Sequence, residues 1–372
     1  MSSSIHEEIL EAQSQGYTLL YLNYRKLSEL PEELLSLSKI KKLYLKRNVL
    51  RKLPADIWRL GNLVELYLHS NNLHELPDGI GKLQTLERLN VCNNFLKNLT
   101  PAIGQLTSLT SLQLVNNELP FLPQELGNLT QLKDLNVINN KLEWLPWQLC
   151  NCASLNSLSF DGNAIRKIPR QLMRHQGLTD LYASGNKLSS LPQDVNQLSS
   201  LESLILDNNM NLQLLPATLL KMENLKIIGL SCIAVSSLSS SKEEHCSDLR
   251  QVLSLRYILD SHYSNVPPLT ELCFRAVHSF VRSITDESLS SLLLPSDVTS
   301  LLSTPTGHCF ICCNPYFTAA FPLKESAATA LQVVKPSSLN LQRLREIQCT
   351  FVFCYCSIRC LREVCRMRDI PE

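Results

Sequence analysis

From about Tyr17 to beyond Leu230 the apolar positions recur with a period of 23 residues. Each period reads L-x-x-L-x-L-x-x-N-x-L-x-x-L-P, and one copy is Leu63, Leu66, Leu68, Asn71, Leu73, Leu76 and Pro77. Asparagine holds one column at Asn48, Asn71, Asn94, Asn117, Asn140, Asn163, Asn186 and Asn209. Leucines two apart, such as Leu66 and Leu68, point to one face of a short strand. The proline step, at Pro31, Pro54, Pro77, Pro123, Pro146, Pro169 and Pro192, ends the extended run and opens an irregular or briefly helical segment. The pattern predicts about nine to ten short parallel strands joined by convex connections. One copy cannot bury its leucines alone, whereas stacked copies bury them in a continuous core.

A period of this length with this leucine spacing is the signature of a leucine-rich-repeat solenoid. The expected fold class is α/β: a leucine-rich-repeat horseshoe over residues 17–232 behind an N-terminal cap at 1–16, then a small helical segment and a zinc-binding-like cysteine module. The asparagine column falls where each coil turns inward. Backbone groups there would be buried without partners, and a side-chain amide carries the donors and acceptor that satisfy them. The leucine and asparagine columns are therefore structural. The ends depart from the pattern. Arg25 stands in the first asparagine position, an extra residue enters at Met210-Asn211, and Ile233 marks where the period dissolves.

Function must then sit in positions the period leaves free. The exposed column between the paired leucines reads Tyr21, Tyr44, Tyr67, Asn90, Gln113, Asn136, Ser159, Tyr182 and Ile205. The column two places on reads Asn23, Lys46, His69, Cys92, Val115, Ile138, Asp161, Ser184 and Asp207. Three successive tyrosines, beside Lys42, Lys46 and Arg47, line the N-terminal part, and aspartates mark the C-terminal part. Tyrosine suits an interface because it is both apolar and hydrogen-bonding. The expected client-binding residues are Tyr21, Tyr44, Tyr67, Lys46, His69, Asp161, Tyr182 and Asp207. The competing reading is a solvated sheet with scattered aromatics. These columns hold no nucleophile–base set, nucleotide loop or carboxylate pair, so no catalytic residue is expected.

Residues 233–266 break the period and read as a linker, with a serine-rich polar stretch at Ser236–Glu244. Residues 267–303 read as a helical segment. Two prolines open it, and apolar residues at 269, 272, 273, 276, 277 and 280 form one helical stripe. Such a helix could simply cap the solenoid. Pro268, Leu269, Cys273 and Val277 also resemble the elongin-C-binding box of cullin–RING substrate receptors. Leu294, Pro295, Val298 and Leu302 resemble a cullin box, with Asp297 where the cullin-five form has a second proline.

Eight of the fourteen cysteines lie between Cys309 and Cys365, so the last segment, 304–372, is a distinct module. Clustered thiols in a reducing compartment read as metal ligands before disulfides. Cys309 and Cys312 form a C-x2-C knuckle and Cys356 and Cys360 a C-x3-C pair. Together they make a candidate four-thiolate structural zinc site. Half-buried free thiols are the alternative, and Cys313, Cys349, Cys354 and Cys365 are spare ligands. The net charge of +1, spread along the chain, argues against a nucleic-acid or membrane-surface partner. The opening MSSSIHEEIL lacks the charged and apolar regions of a secretory leader, so cytoplasmic residence with nuclear access is expected.

The segments Leu22–Arg25, Lys46–Asn48, Asn62–Asn72, Asp207–Asn209, Gly307–Cys309 and Cys356–Ser357 resemble the leucine-rich-repeat-containing protein twenty-eight family over nearly the whole chain. A sister family, protein fifty-eight, shares the helix-plus-cysteine tail. That sister's likeness to cullin-ligase receptors implies, by analogy, elongin B/C and a cullin as partners, with a client on the concave face. The alternatives are a scaffold without a ligase link and, less well supported, a metal-dependent enzyme in the cysteine tail.

Overall fold

The computed structural model describes residues 5–212 and 214–231, together with the strand backbone at 307–308, 315–316, 321–326 and 350–355. Ten three-residue strands form one parallel sheet. They are β1 (Leu19–Tyr21), β2 (Lys42–Tyr44), β3 (Glu65–Tyr67), β4 (Arg88–Asn90), β5 (Ser111–Gln113), β6 (Asp134–Asn136), β7 (Ser157–Ser159), β8 (Asp180–Tyr182), β9 (Ser203–Ile205) and β11 (Ile227–Gly229). The register keeps each column of the period in line: Leu20 faces Leu43, Leu43 faces Leu66, and Leu66 faces Leu89. Leu66 and Leu68 are completely buried, as their spacing predicts.

The core is a single stack of aliphatic side chains running from Ile9 to Leu230. The asparagine column closes each coil. Asn117 donates through Nδ2 to the carbonyls of Val91 and Leu114, both at 3.0 Å, and accepts from the Leu96 N–H at 3.1 Å. One residue earlier the backbone is left-handed in every coil, from Tyr24 (φ 60°) and Arg47 (φ 54°) to Asn208 (φ 59°). Convex connections are short 3-10 turns such as Pro101–Gln105, where Thr100 caps the Ala102 N–H. Adjacent turns approach so closely that a Cβ on Gly104 would lie 2.3 Å from the Glu125 carbonyl oxygen.

Helix α1 (Ile5–Gln15) closes the N-terminal end by burying Ile9 and Ala12. Arg25, the residue in place of the first asparagine, instead pairs with Glu8 of this helix. At the other end the extra residue after Asn209 shifts the count, so that Ile227 pairs with Ser203. There the structure adds something the period did not predict. Strand β10 (Leu214–Pro216) lies outside the ten-stranded sheet and pairs in parallel with β15 (Thr350–Tyr355), which pairs antiparallel with β14 (Phe321–Ser326). The C-terminal segment is thus joined to the last coil by backbone hydrogen bonds. A two-stranded pair, β12 (Gly307–His308) and β13 (Pro315–Tyr316), lies beside β15. The elongin-like residues Leu269, Cys273 and Val277, the cullin-like residues Leu294, Pro295, Val298 and Leu302, and Cys309, Cys312, Cys356 and Cys360 all lie outside the described residues.

Candidate protein-binding face

Each strand turns its first and third residues, and the one two places further on, to the concave side. In-register pairing places Tyr21, Tyr44 and Tyr67 side by side. Their rings stack with centroids 4.7 and 4.6 Å apart, which matches the separation of neighbouring strands. The stack is therefore imposed by the backbone and needs no further ordering to present its faces. Tyr21 is 57% exposed.

The column beside the tyrosines is electrostatically organised around Glu65. Its carboxylate meets Lys42 Nζ at 2.9 Å and Arg88 at 3.9 Å, and accepts from the Tyr67 hydroxyl at 3.2 Å. Burial pushes the Glu65 carboxyl up, but these partners together pull it below the usual carboxylate range. The same hydrogen bond holds the Lys42 ammonium above its ordinary value. On the rim, Arg47 lies over the Tyr24 ring at 5.4 Å. Both residues have left-handed backbone, a conformation that costs a side-chain-bearing L-residue about 1–2 kcal/mol. The next equivalent position is Ser70, and from there on they are Asn93, Asn116, Asn139, Gly162, Gly185 and Asn208, residues that tolerate the conformation better.

Lys46 and His69 complete this patch. Burial, and then the charges of Lys46 and Arg47, lower the His69 imidazole, so it is neutral at physiological pH. Cys92 follows in the same column. Burial raises its thiol, which makes it a weakly polar surface rather than a nucleophile.

The C-terminal half differs. The Asp161 carboxylate accepts from the Ser184 N–H and Asp207 from the Ser231 N–H at 2.6 Å, so both are used inside the sheet. Asn23 plays the same part for Lys46 N–H in the first coil. Burial raises the Asp134 and Asp161 carboxyls from their ordinary value, against the pull of their hydrogen bonds. Tyr182 bonds weakly to Asp180 at 3.4 Å. The eight residues singled out from the sequence therefore form two groups. Tyr21, Tyr44, Tyr67, Lys46 and His69 share one patch, while Asp161, Tyr182 and Asp207 sit several strands away. A hollow of about 420 Å³, lined by Tyr67, Arg88, Gln113 and Asp134 among others, marks the change between them. Among the described residues, no group of three or more His, Cys, Asp or Glu side chains is placed to hold a metal. No helix among them is long and apolar enough to cross a membrane.

Sequence reasoning about the concave columns passed over another surface. All three tryptophans of the chain, Trp58, Trp144 and Trp147, are exposed by 43–53%. Trp144 stacks with Phe121 at 6.3 Å, and Phe95 lies against His74 at 5.9 Å. Phe121 and Trp144 occupy the column four places after the asparagines, which elsewhere reads Lys52, Glu75, Asn98, Lys167 and Ser190. Two large rings in a polar column were a legible signal, but the column lies on the flank of the coils rather than on the concave sheet.

Residues 17–73 match the family model described as leucine rich repeat. Among solved structures, the chain is similar to the leucine-rich-repeat domain of the type III effector XopL, with 26% identity and a TM-score of 0.56, covering 61% of this chain and 80% of that one. It is also similar to Toll in the Drosophila Toll–Spatzle complex, at 21% identity and a TM-score of 0.53, covering 67% of this chain and 36% of that one. A leucine-rich-repeat protein of Leptospira interrogans matches at 26% identity and a TM-score of 0.41, over 62% of this chain and 82% of that one. The parallel sheet, the asparagine column, the family-model match and the likeness to the XopL domain agree: the described coils are a leucine-rich-repeat array, a fold typical of protein–protein interaction.

Proposed function

We propose that this chain is a non-catalytic, protein-binding scaffold whose client docks on the N-terminal half of the concave sheet. The observation that carries this reading is the pre-stacked ladder of Tyr21, Tyr44 and Tyr67, exposed at Tyr21 and half-buried at the other two. Rigid aromatic surface with polar tips is the composition of interface anchors, because little side-chain entropy is lost on binding. The left-handed Tyr24 and Arg47 add to it. Residues kept at a backbone cost, with their side chains pointing outward, cluster at functional surfaces. The test is quantitative affinity purification from cells with full-length wild type and a Tyr21→Ala, Tyr44→Ala double variant. At least one co-purifying protein should fall by about tenfold or more with the variant, as expected for loss of an anchor pair. Identical recoveries would remove the client site from this face.

The finer reading is that this scaffold serves as a substrate receptor of an elongin–cullin–RING ubiquitin ligase, in the cytoplasm and with access to the nucleus. Its support is the spacing of Leu269, Cys273 and Val277 ahead of Leu294, Pro295, Val298 and Leu302, and the resemblance to the protein twenty-eight and fifty-eight families. A Leu269→Ala, Cys273→Ala variant should lose elongin C while keeping the concave-face client. Undiminished elongin recovery would leave a scaffold without a ligase link. Cys309, Cys312, Cys356 and Cys360 are proposed to hold one structural zinc. Strands β12 and β15, which lie side by side, end one residue before Cys309 and Cys356 respectively. Four thiolates would satisfy zinc and leave no open position for chemistry. Elemental analysis of the purified full chain should find one zinc per molecule, lost in a Cys356→Ser, Cys360→Ser variant.

A further inference from the structure

The flank of the coils, just after the asparagine column, is the second exposed surface with unusual composition. Its N-terminal part is a groove of about 960 Å³ lined by Arg51, Lys52, His74 and Phe95 among others. On the coils that follow come Phe121 and Trp144, exposed by 41% and 53%, with Trp147, 49% exposed, opening the next convex turn. Exposed cations flank these rings: Arg51 and Lys52 before them, Lys97 among them, and Arg166, Lys167 and Lys187 after them. Glu29, Glu75, Glu118 and Glu143 are the acids in the same columns, Glu29 and Glu75 lining the groove itself, and Glu118 is joined to Lys141 at 2.8 Å. The surface is thus an aromatic pair inside a border where Arg51, Lys52, Lys97, Arg166, Lys167 and Lys187 outnumber the acids. Rings of this size left outside a core are costly unless something covers them, and a stacked, exposed aromatic pair with a charged rim describes an interface.

We infer that this flank is a second docking surface, separate from the concave face, and that its occupant is an extended acidic segment of a partner protein carrying one large apolar anchor. The argument for the occupant is charge complementarity combined with shape. An extended strand of about seven residues spans the five coil intervals of about 4.8 Å between Arg51 and Arg166. Its anchor would sit against the Phe121–Trp144 pair, and its carboxylates would meet the cations at either end. Steering by such a border raises association rate and excludes basic competitors. A nucleic acid fits less well, because its evenly spaced phosphates would be carried past Glu75, Glu118 and Glu143. The flank columns also lead directly to the C-terminal segment. Ser190 bridges to Leu214 in β10, the strand that pairs with β15. A segment lying along the flank would therefore run up to the C-terminal sheet, linking whatever that end holds to a second partner.

The test uses the full-length protein and three fluorescently labelled probes of equal length, followed by anisotropy. One is a pool of decapeptides with aspartate or glutamate at fixed positions and a single randomised apolar site. The second replaces every acid with lysine, and the third is oligothymidylate. The acidic pool should bind saturably and weaken with added salt. Trp144→Ala and Lys167→Glu should each weaken it by about tenfold or more, while Tyr44→Ala on the concave face should leave it unchanged. Trp144 and Lys167 are exposed, so circular dichroism of the variants should match wild type. The inference is overturned if no probe saturates, if the lysine pool binds as well, or if oligothymidylate alone binds. It is also overturned if Tyr44→Ala abolishes binding and Trp144→Ala does not. That last outcome would assign the acidic segment to the concave face and leave the proposed client site standing.

Discussion

The two halves of the concave sheet share a backbone and differ in how their free positions are used. In coils one to four the tyrosines and cations face outward, and only the short amides Asn23 and Asn90 turn to backbone N–H groups. The tyrosines stack on one another, Glu65 gathers Lys42, Arg88 and Tyr67, and Tyr24 and Arg47 hold a backbone that asparagine or glycine would hold more cheaply. From coil six onward the polar groups are turned inward. Asp161 and Asp207 are spent on N–H groups of the next coil. A repeat protein can thus use equivalent columns either to offer chemistry to a partner or to finish its own hydrogen bonding. A sequence column alone does not distinguish the two.

The largest expected effect tests whether the halves are alike inside. Asn71 donates to the carbonyls of Leu45 and Leu68, both at 2.9 Å, and accepts from Leu50 N–H at 3.2 Å. Asn163 makes the same set with Val137, Phe160 and Leu142 at 3.0, 2.8 and 3.0 Å. Alanine at Asn71 or Asn163 leaves the buried Leu50 or Leu142 N–H without a partner, at a cost of about 1–3 kcal/mol, while the carbonyls keep the amide of a neighbouring column asparagine. Asn71→Ala and Asn163→Ala should each lower stability by about 1–3 kcal/mol, measured by urea unfolding. A difference beyond about 1 kcal/mol between them would show that the halves diverge in the core as well as on the face.

A smaller effect separates the faces. Glu65→Gln should cost about 1 kcal/mol, because the carboxylate is largely covered but Lys42 and Arg88 are about half exposed and solvent screens the pairs. Its pH signature is specific. The Glu65 carboxyl is held below its ordinary value, so its contribution is present above the unfolded carboxylate range and is lost as pH falls through the lowered folded pKa. Thermal melts from pH 6 downward should show wild type and Glu65→Gln converging in that acid window. Curves that stay parallel would mean that Glu65 does not organise the basic patch.

The coils were legible because their physics is local and repeated: Leu66, Leu68 and Asn71 sit where a 23-residue period requires them. The tyrosine ladder was legible for the same reason, since in-register pairing converts a column of letters into a stack of rings. Other features depended on three-dimensional detail. Asn23, Asp161 and Asp207, the short acceptors of one column, each accept from an N–H of the next coil, a use that the exposed-column reading did not anticipate. The Trp144–Phe121 pair required looking at a flank column that carries no consensus. The junction of β10 with β15 joins residues more than a hundred positions apart, and no periodic signal spans that gap.

The smallest effect decides whether the C-terminal half is as self-satisfied as it looks. Burial raises the Asp161 carboxyl, with the nearby Asp207 adding to the rise, while the hydrogen bond from Ser184 N–H opposes it. A carboxyl whose folded pKa is raised contributes favourably below its unfolded pKa, and that contribution is lost as pH rises through the folded value. At neutral pH the charge is therefore a mild burden. Asparagine would keep an oxygen acceptor for Ser184 N–H, as Asn23 does for Lys46 N–H, and would remove the charge. Asp161→Asn should raise the melting temperature at pH 7 by no more than about 2 °C, and the gain should vanish at acidic pH, where wild type is protonated. A fall at neutral pH would mean that the carboxylate answers to a cation the sheet itself does not supply. The C-terminal half would then join the tyrosine ladder as a binding surface, and the client would have to span both.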